Sequence, residues 1–128
     1  MQADFPIDDK ALGRDGEALA AAYLRHLGYR ILEKNYRCRQ GEVDLIVEKA
    51  KTVTFVEVKT RRSVDAVSPR ELVTFPKQRH ISKAAQHFLA ARRWKEVNAD
   101  FGVLIVDLSG PKPTFEWIPQ AFDLAWGY

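Results

Sequence analysis

Three residues within Gly41–Arg61 have types and spacing that suit phosphate chemistry: Asp44, Glu57 and Lys59. Side chains alternate faces along a strand, so their relation can be worked out from parity. If Ala50-Lys51 is the centre of a hairpin turn, antiparallel partners have numbers summing to 101, which sets Asp44 opposite Glu57 and Glu42 opposite Lys59. Directly opposed residues share a face, with Cβ atoms about 4.5–5.5 Å apart. One face then carries Val43, Leu45, Val47, Val56, Val58 and Thr60 as an ordinary core surface, and the other gathers Glu42, Asp44, Glu57 and Lys59 at one end, with Ile46 and Phe55 at the other. Opposed carboxylates repel unless a cation lies between them. Mg²⁺, which takes hard oxygen ligands at about 2.0–2.1 Å from one or two carboxylates plus water and phosphate, answers that need. Asp44 and Glu57 supply the carboxylates, and the Val58 backbone carbonyl is a third oxygen. Lys59 can hold an attacking water or stabilise the charge of a pentavalent phosphorane. The same residues also suit an exposed ion-pair cluster with no ligand.

The elements that must position these residues follow from the flanking pattern. Asp9–Leu27 reads as a helix with Leu12, Leu19, Ala20, Tyr23, Leu24 and Leu27 on its apolar face, and Gly28 stands where a C-cap belongs. Gly13 and Gly16 weaken its start. Strands are expected at Tyr29–Tyr36, Glu42–Glu48 and Val53–Arg61, with turns at Cys38–Gly41 and Lys49–Thr52. Residues 62–76, with Pro69 and Pro76, read as a loop long enough to be functional. Pro76 opens a second helix to about Lys95 with Ile81, Ala84, Ala85, Phe88 and Ala91 buried, leaving Arg79, Lys83 and Arg93 off that stripe. Phe101–Leu108 and Thr114–Ile118 are the last strands. The order α-β-β-β-α-β-β describes an α/β domain with a mixed sheet flanked by helices.

Composition limits the alternatives. At 128 residues, 46% hydrophobic and 29% charged, the chain is expected to form one domain over 1–128, with residues 1–8 a loose tail. It has no apolar run near the ~18 residues of a membrane span and no basic, apolar leader. A single cysteine, Cys38, rules out a disulfide framework and a multi-cysteine zinc site, so a reduced, cytoplasmic setting is expected. The formal charge of +3 is unevenly spread. Between Lys59 and Lys95 ten basic residues face only Asp65 and Glu71, a net +8, and the remainder carries −5. That asymmetry fits a polyanion-binding surface. Its candidates are Arg61, Arg62, Lys77, Gln78, Arg79 and Lys83.

Asp44 followed by Glu57-Val58-Lys59 resembles the PD-(D/E)-x-K nuclease superfamily. The resemblance sharpens through Gly13-x-x-Gly16-Glu17, Tyr23-Leu24, Gly28-Tyr29, Gly41-Glu42-Val43-Asp44-Leu45-Ile46, Phe55-Val56-Glu57-Val58-Lys59-Thr60-Arg61, Lys77-Gln78, Glu116-Trp117-Ile118 and Ala121-Phe122. Together these are similar to the YraN-like family from about Gly13 to Phe122. The resemblance implies a restriction-endonuclease-like fold, similar to Holliday-junction resolvases, and a Mg²⁺- or Mn²⁺-dependent nuclease. It implies that Asp44 and Glu57 bind metal, that Lys59 is catalytic and that Glu17 is the acidic residue of the first helix. Helical spacing independently sets Glu17 on the rim of that helix's apolar face. One departure stands out: where the family often has Arg-Phe-Asp, this chain has Asp100-Phe101-Gly102.

DNA is the expected partner, with RNA left open by the residues themselves, and symmetric cutting of a branched substrate would favour a homodimer, since two cuts need two sites. A non-catalytic nucleic-acid-binding or scaffold module that keeps the nuclease fold is the alternative. A third reading, protein–protein docking, draws on Trp117, Phe122, Trp126 and Tyr128. His26, His80 and His87 are too scattered to ligate a metal and read as surface histidines, and Trp94, Trp117 and Trp126 read as packing aromatics. Cys38 has no base partner for a nucleophile, and Arg39 and Gln40 read as an ordinary polar turn.

Overall fold

A computed structural model describes residues 16–62, 73–94 and 97–122. The expected tail, the start of the first helix, Pro69 and Arg70 of the loop, Lys95, Trp126 and Tyr128 lie outside the described residues. The observed order is α1 (Gly16–His26), β1 (Arg30–Cys38), β2 (Gly41–Lys49), β3 (Thr52–Arg61), α2 (Phe75–Ala91), β4 (Asn98–Asp107) and β5 (Thr114–Phe122). The α-β-β-β-α-β-β order is the one expected. The five strands form one sheet in sequence order. β1, β2 and β3 pair antiparallel, β3 and β4 run parallel, and β5 returns antiparallel on β4. Among the described residues no helix is long and apolar enough to cross a membrane.

Each sheet face carries a helix, because the strands alternate two apolar sets. Leu45, Val47, Val56, Leu104 and Val106 meet Leu19, Ala20, Tyr23 and Leu24 of α1. Ile46, Phe55, Phe101, Val103 and Ile105 meet Ile81, Ala84, Ala85 and Phe88 of α2. The hairpin turns at Ala50 and Lys51, with φ of 51° and 65°, the left-handed pair that lets a two-residue turn follow the sheet twist. The pairing Leu45↔Val56 to Lys49↔Thr52 has the register that sums to 101.

The pattern departs from alternation at the start of β2. Val43 packs with the α2-side cluster rather than with Leu45 and Val47. On the neighbouring strand β1, Asn35 stands between the pairs Lys34↔Leu45 and Tyr36↔Val43 with φ of 52°. Glu42 pairs with Arg37 at 3.1 Å across β1 and is exposed, so it does not join the acidic end with Asp44 and Glu57. Helix α2 also stops short of the expected end. Arg93 takes φ of 57°, and the amides of Arg93 and Trp94 close back on the carbonyls of Ala90 and Leu89 at 3.0 Å each. Ala91 is therefore exposed and Arg93 lies in the turn beyond the helix.

Candidate metal and phosphodiester site

The site lies where β2 and β3 part. Their pairing ends at Leu45↔Val56, one step before Asp44 and Glu57. Beyond it the Val58 amide donates to Asp44 Oδ2 at 2.8 Å, so a side chain takes the place of a ladder acceptor. In an extended strand the N–H and C=O of one residue leave by the same edge. The Val58 carbonyl therefore leaves β3 by the edge on which Asp44 lies.

Glu57 shares the parity of Phe55 and so faces α2. It is 4% exposed, and its Oε2 accepts from Lys59 Nζ at 3.2 Å and from Lys77 Nζ. Asp44 is half-buried, and its carboxyl is pushed up to about 7, first by burial, then by the charge of neighbouring Glu57. The Val58 amide opposes the shift, and Glu17 on α1 adds a smaller repulsion. Gly16 holds that end of α1 close to β3, since a Cβ there would lie 2.0 Å from Thr60 Oγ1. Asp44, Glu57 and Lys59 are thus brought together, with Glu17 within electrostatic reach.

Lys77, expected to hold nucleic acid, meets Glu57. The signal for this is topological. A parallel β3–α2–β4 crossover returns its helix antiparallel to the strands, so the N-terminus of α2 lies at the carboxyl end of β3. Thr74 caps that helix, accepting from the Lys77 amide at 3.4 Å, and Pro76 stands in its first turn. Burial alone would lower the Lys77 ammonium. Its contacts with Glu57 outweigh burial and hold it above the ordinary lysine range.

The other basic candidates are dispersed. Arg61 lies 3.8 Å from Asp107, and Gln78 Nε2 donates to the Val73 carbonyl at 3.1 Å. Arg62 is exposed at the end of β3. Arg79 and Lys83 line a cleft with Gln40, Pro76 and His80, which adjoins a second cleft lined by Arg37, Glu42, Thr74 and Lys77. Both open between the β1–β2 turn and α2. The two walls touch at Gly41, where a Cβ would lie 2.2 Å from the His80 carbonyl oxygen.

Several side chains set aside on sequence grounds do structural work. His87 Nδ1 lies 2.5 Å from Tyr36 Oη. Trp94 packs edge-on to Phe88, and Trp117 edge-on to Tyr29. Cys38 Sγ lies 3.6 Å from Gln40 Oε1. The departure at Gly102 also has a physical account, since a Cβ there would lie 2.5 Å from the Trp117 ring. Asp100 accepts from Thr54 Oγ1 at 2.6 Å, towards the opposite end of β3 from Glu57.

Among the described residues no three His, Cys, Asp or Glu side chains are gathered as a ready-made metal cage. Two adjoining carboxylates and a neighbouring carbonyl are nevertheless a hard-oxygen donor set, suited to Mg²⁺ or Mn²⁺ that keeps several waters. The carboxyl of Asp44 is raised first by burial and then by the charge of Glu57, and a divalent cation beside it would favour its ionised form.

Comparison with known proteins agrees with the extent of the sequence resemblance. A UPF0102 protein of Geobacter metallireducens is 48% identical over 120 residues, covering 94% of this chain and 98% of the relative. One from Geobacter sulfurreducens is 49% identical, covering 92% and 93%, and one from Geotalea uraniireducens is 44% identical, covering 98% and 100%. Among solved structures, that of Pyrococcus furiosus SfsA in complex with Ca²⁺ is 14% identical, covers 90% of this chain and 65% of that one, and has a TM-score of 0.36, too low to compare folds. A family model described as "Uncharacterised protein family UPF0102" matches residues 16–107, which span α1 through β4 and the whole candidate site, and the chain belongs to that family.

Proposed function

We propose that the chain is a Mg²⁺- or Mn²⁺-dependent endonuclease that hydrolyses DNA phosphodiester bonds, with branched or damaged DNA as the substrate class. The observation that carries this reading is the meeting of Asp44 and Glu57 at the parted end of the hairpin, with Lys59 3.2 Å from Glu57. Asp44, Glu57 and the Val58 carbonyl would hold the metal, whose chemistry is to polarise the phosphate and lower the pKa of a water. The Val58 amide fixes Asp44 Oδ2, so this carboxylate is oriented before any ligand arrives. Lys59 supplies positive charge beside the reacting phosphorus, where the phosphorane gains negative charge. Glu17 adds to the negative potential at Asp44. Arg62, Arg79 and Lys83 hold flanking phosphates, a contact independent of sequence. A homodimer would set two such sites on one branched substrate.

The second reading is a non-catalytic nucleic-acid-binding module. One observation favours it: Lys59 and Lys77 already both pair with Glu57, so this carboxylate has cationic partners without a metal. Cleavage of duplex, nicked, branched and single-stranded DNA in Mg²⁺ or Mn²⁺ separates the two. Under the nuclease reading wild type cuts at least one substrate, and Lys59→Met loses about 10²–10³-fold in rate while still binding DNA. Wild type that binds DNA and cuts none of the panel, or Lys59→Met that cuts as fast as wild type, overturns it.

A further inference from the structure

Glu57 Oε2 serves two lysines that are not equivalent. Lys59 belongs to the same strand, and its side chain is 24% exposed; Lys77 reaches across from α2, and its side chain is 42% exposed. A lysine on a flexible four-carbon stem, anchored on a separate element and open to solvent, can leave its partner without disturbing the sheet. Charge counting says when it should. The metal-free group of Asp44, Glu57, Lys59 and Lys77 is balanced with both carboxyls ionised, and a divalent cation added to it leaves an excess of two positive charges. Glu17 offsets one of them. A phosphodiester contributes the other negative charge, and the cleft bordering Lys77 is where its backbone would enter.

We infer that Lys77 is a positioning residue that stands in for the metal, occupying Glu57 Oε2 in the metal-free protein and passing to a substrate phosphate when the cation binds. This rests on the metal-dependent reading above. Metal and nucleic acid then bind cooperatively, because each removes a competitor of the other, and the coupling is reciprocal. A free-standing metal site of high affinity is not expected, since Lys77 opposes it until phosphate is present.

The test is calorimetric titration of Mn²⁺ into the full chain, with and without a DNA duplex kept cold to suppress cleavage. Lys77→Met should bind Mn²⁺ more tightly than wild type without DNA by about tenfold, within the usual range of coupling between sites. DNA should tighten Mn²⁺ binding to wild type by a similar factor and should have little effect on Lys77→Met. A second readout is thermal: Lys77→Met melts below wild type in metal-free buffer and gains more than wild type from Mn²⁺. Lys77→Gln should repeat both results if the methionine variant folds poorly. Lys34→Gln removes an exposed β1 charge and serves as a control that should change Mn²⁺ affinity little. Unchanged or weaker Mn²⁺ binding by the Lys77 variants, or equal tightening by Lys34→Gln, overturns the inference and leaves the nuclease reading standing. Wild type that takes up no Mn²⁺ with or without DNA overturns both.

Discussion

At Asp44, burial and the charge of Glu57 act against ionisation while a single amide, from Val58, acts for it. The balance holds its carboxyl at about 7, against an ordinary 3.8, so the folded state keeps a proton that the unfolded chain releases. The favourable contribution is therefore complete below about pH 4, falls as pH rises towards 7, and is gone above it. Asp44→Asn keeps an acceptor for the Val58 amide and removes the titration. In metal-free buffer this variant should melt above wild type at pH 8 and draw level near pH 4, read from melting curves across that range. The same proton competes with a cation: Mn²⁺ binding by wild type should strengthen with pH by up to about tenfold per unit below 7 and level off above it, as titrations at pH 6, 7 and 8 would show. Asp44, Glu57 and Lys59 were legible because strand parity alone sets them on one end of a hairpin. Lys77 was not, because its contact with Glu57 depends on where a crossover helix returns, which no local pattern records.

The hairpin that carries the site turns through Ala50 and Lys51, two residues without the freedom of Gly or Asn, at φ of 51° and 65°. Left-handed backbone costs ordinary residues roughly 1–2 kcal/mol each. Replacing the pair by Asn-Gly should stabilise the fold by about 1–2 kcal/mol in denaturant titration, with Mn²⁺ affinity unchanged because the turn lies at the far end of β2 from Asp44. The contact of Gly41 with the His80 carbonyl predicts the opposite sign. Gly41→Ala should lower stability by about 1–3 kcal/mol in the same assay, since backbone on both sides must yield. The hairpin register was legible from residue numbers, and so were the buried stripes of α1 from Leu19 to Leu24 and of α2 from Ile81 to Phe88. The side change at Val43 and the loss of Glu42 from the acidic end were not. Glu42 meets Arg37 of the neighbouring strand, and neither that pairing nor the side taken by Val43 is recorded in the local alternation of β2.

Across the molecule, several described cations of the Lys59–Lys95 segment meet acids. Lys59 and Lys77 meet Glu57, Arg61 meets Asp107, and Arg92 pairs with Glu33 at 3.1 Å while covering the Phe88 ring. Arg79 and Lys83 line the cleft between α2 and the β1–β2 turn. Net charge along the chain revealed the asymmetry but could not show these pairs, because the acids that meet Lys77, Arg61 and Arg92 come from other elements. If Lys83 touches phosphate, Lys83→Gln should weaken binding to all DNA sequences alike and reduce the slope of log affinity against log salt by about 1 in filter-binding or anisotropy assays. The claim that Asp44 and Glu57 together hold a divalent cation is met most directly by titrating Mn²⁺ calorimetrically into wild type and Asp44→Ala, alone and with DNA bound. The account predicts a site in wild type, tighter with DNA present, that is absent from Asp44→Ala under both conditions. Equal Mn²⁺ binding by the two proteins, or none by wild type even with DNA, would contradict it.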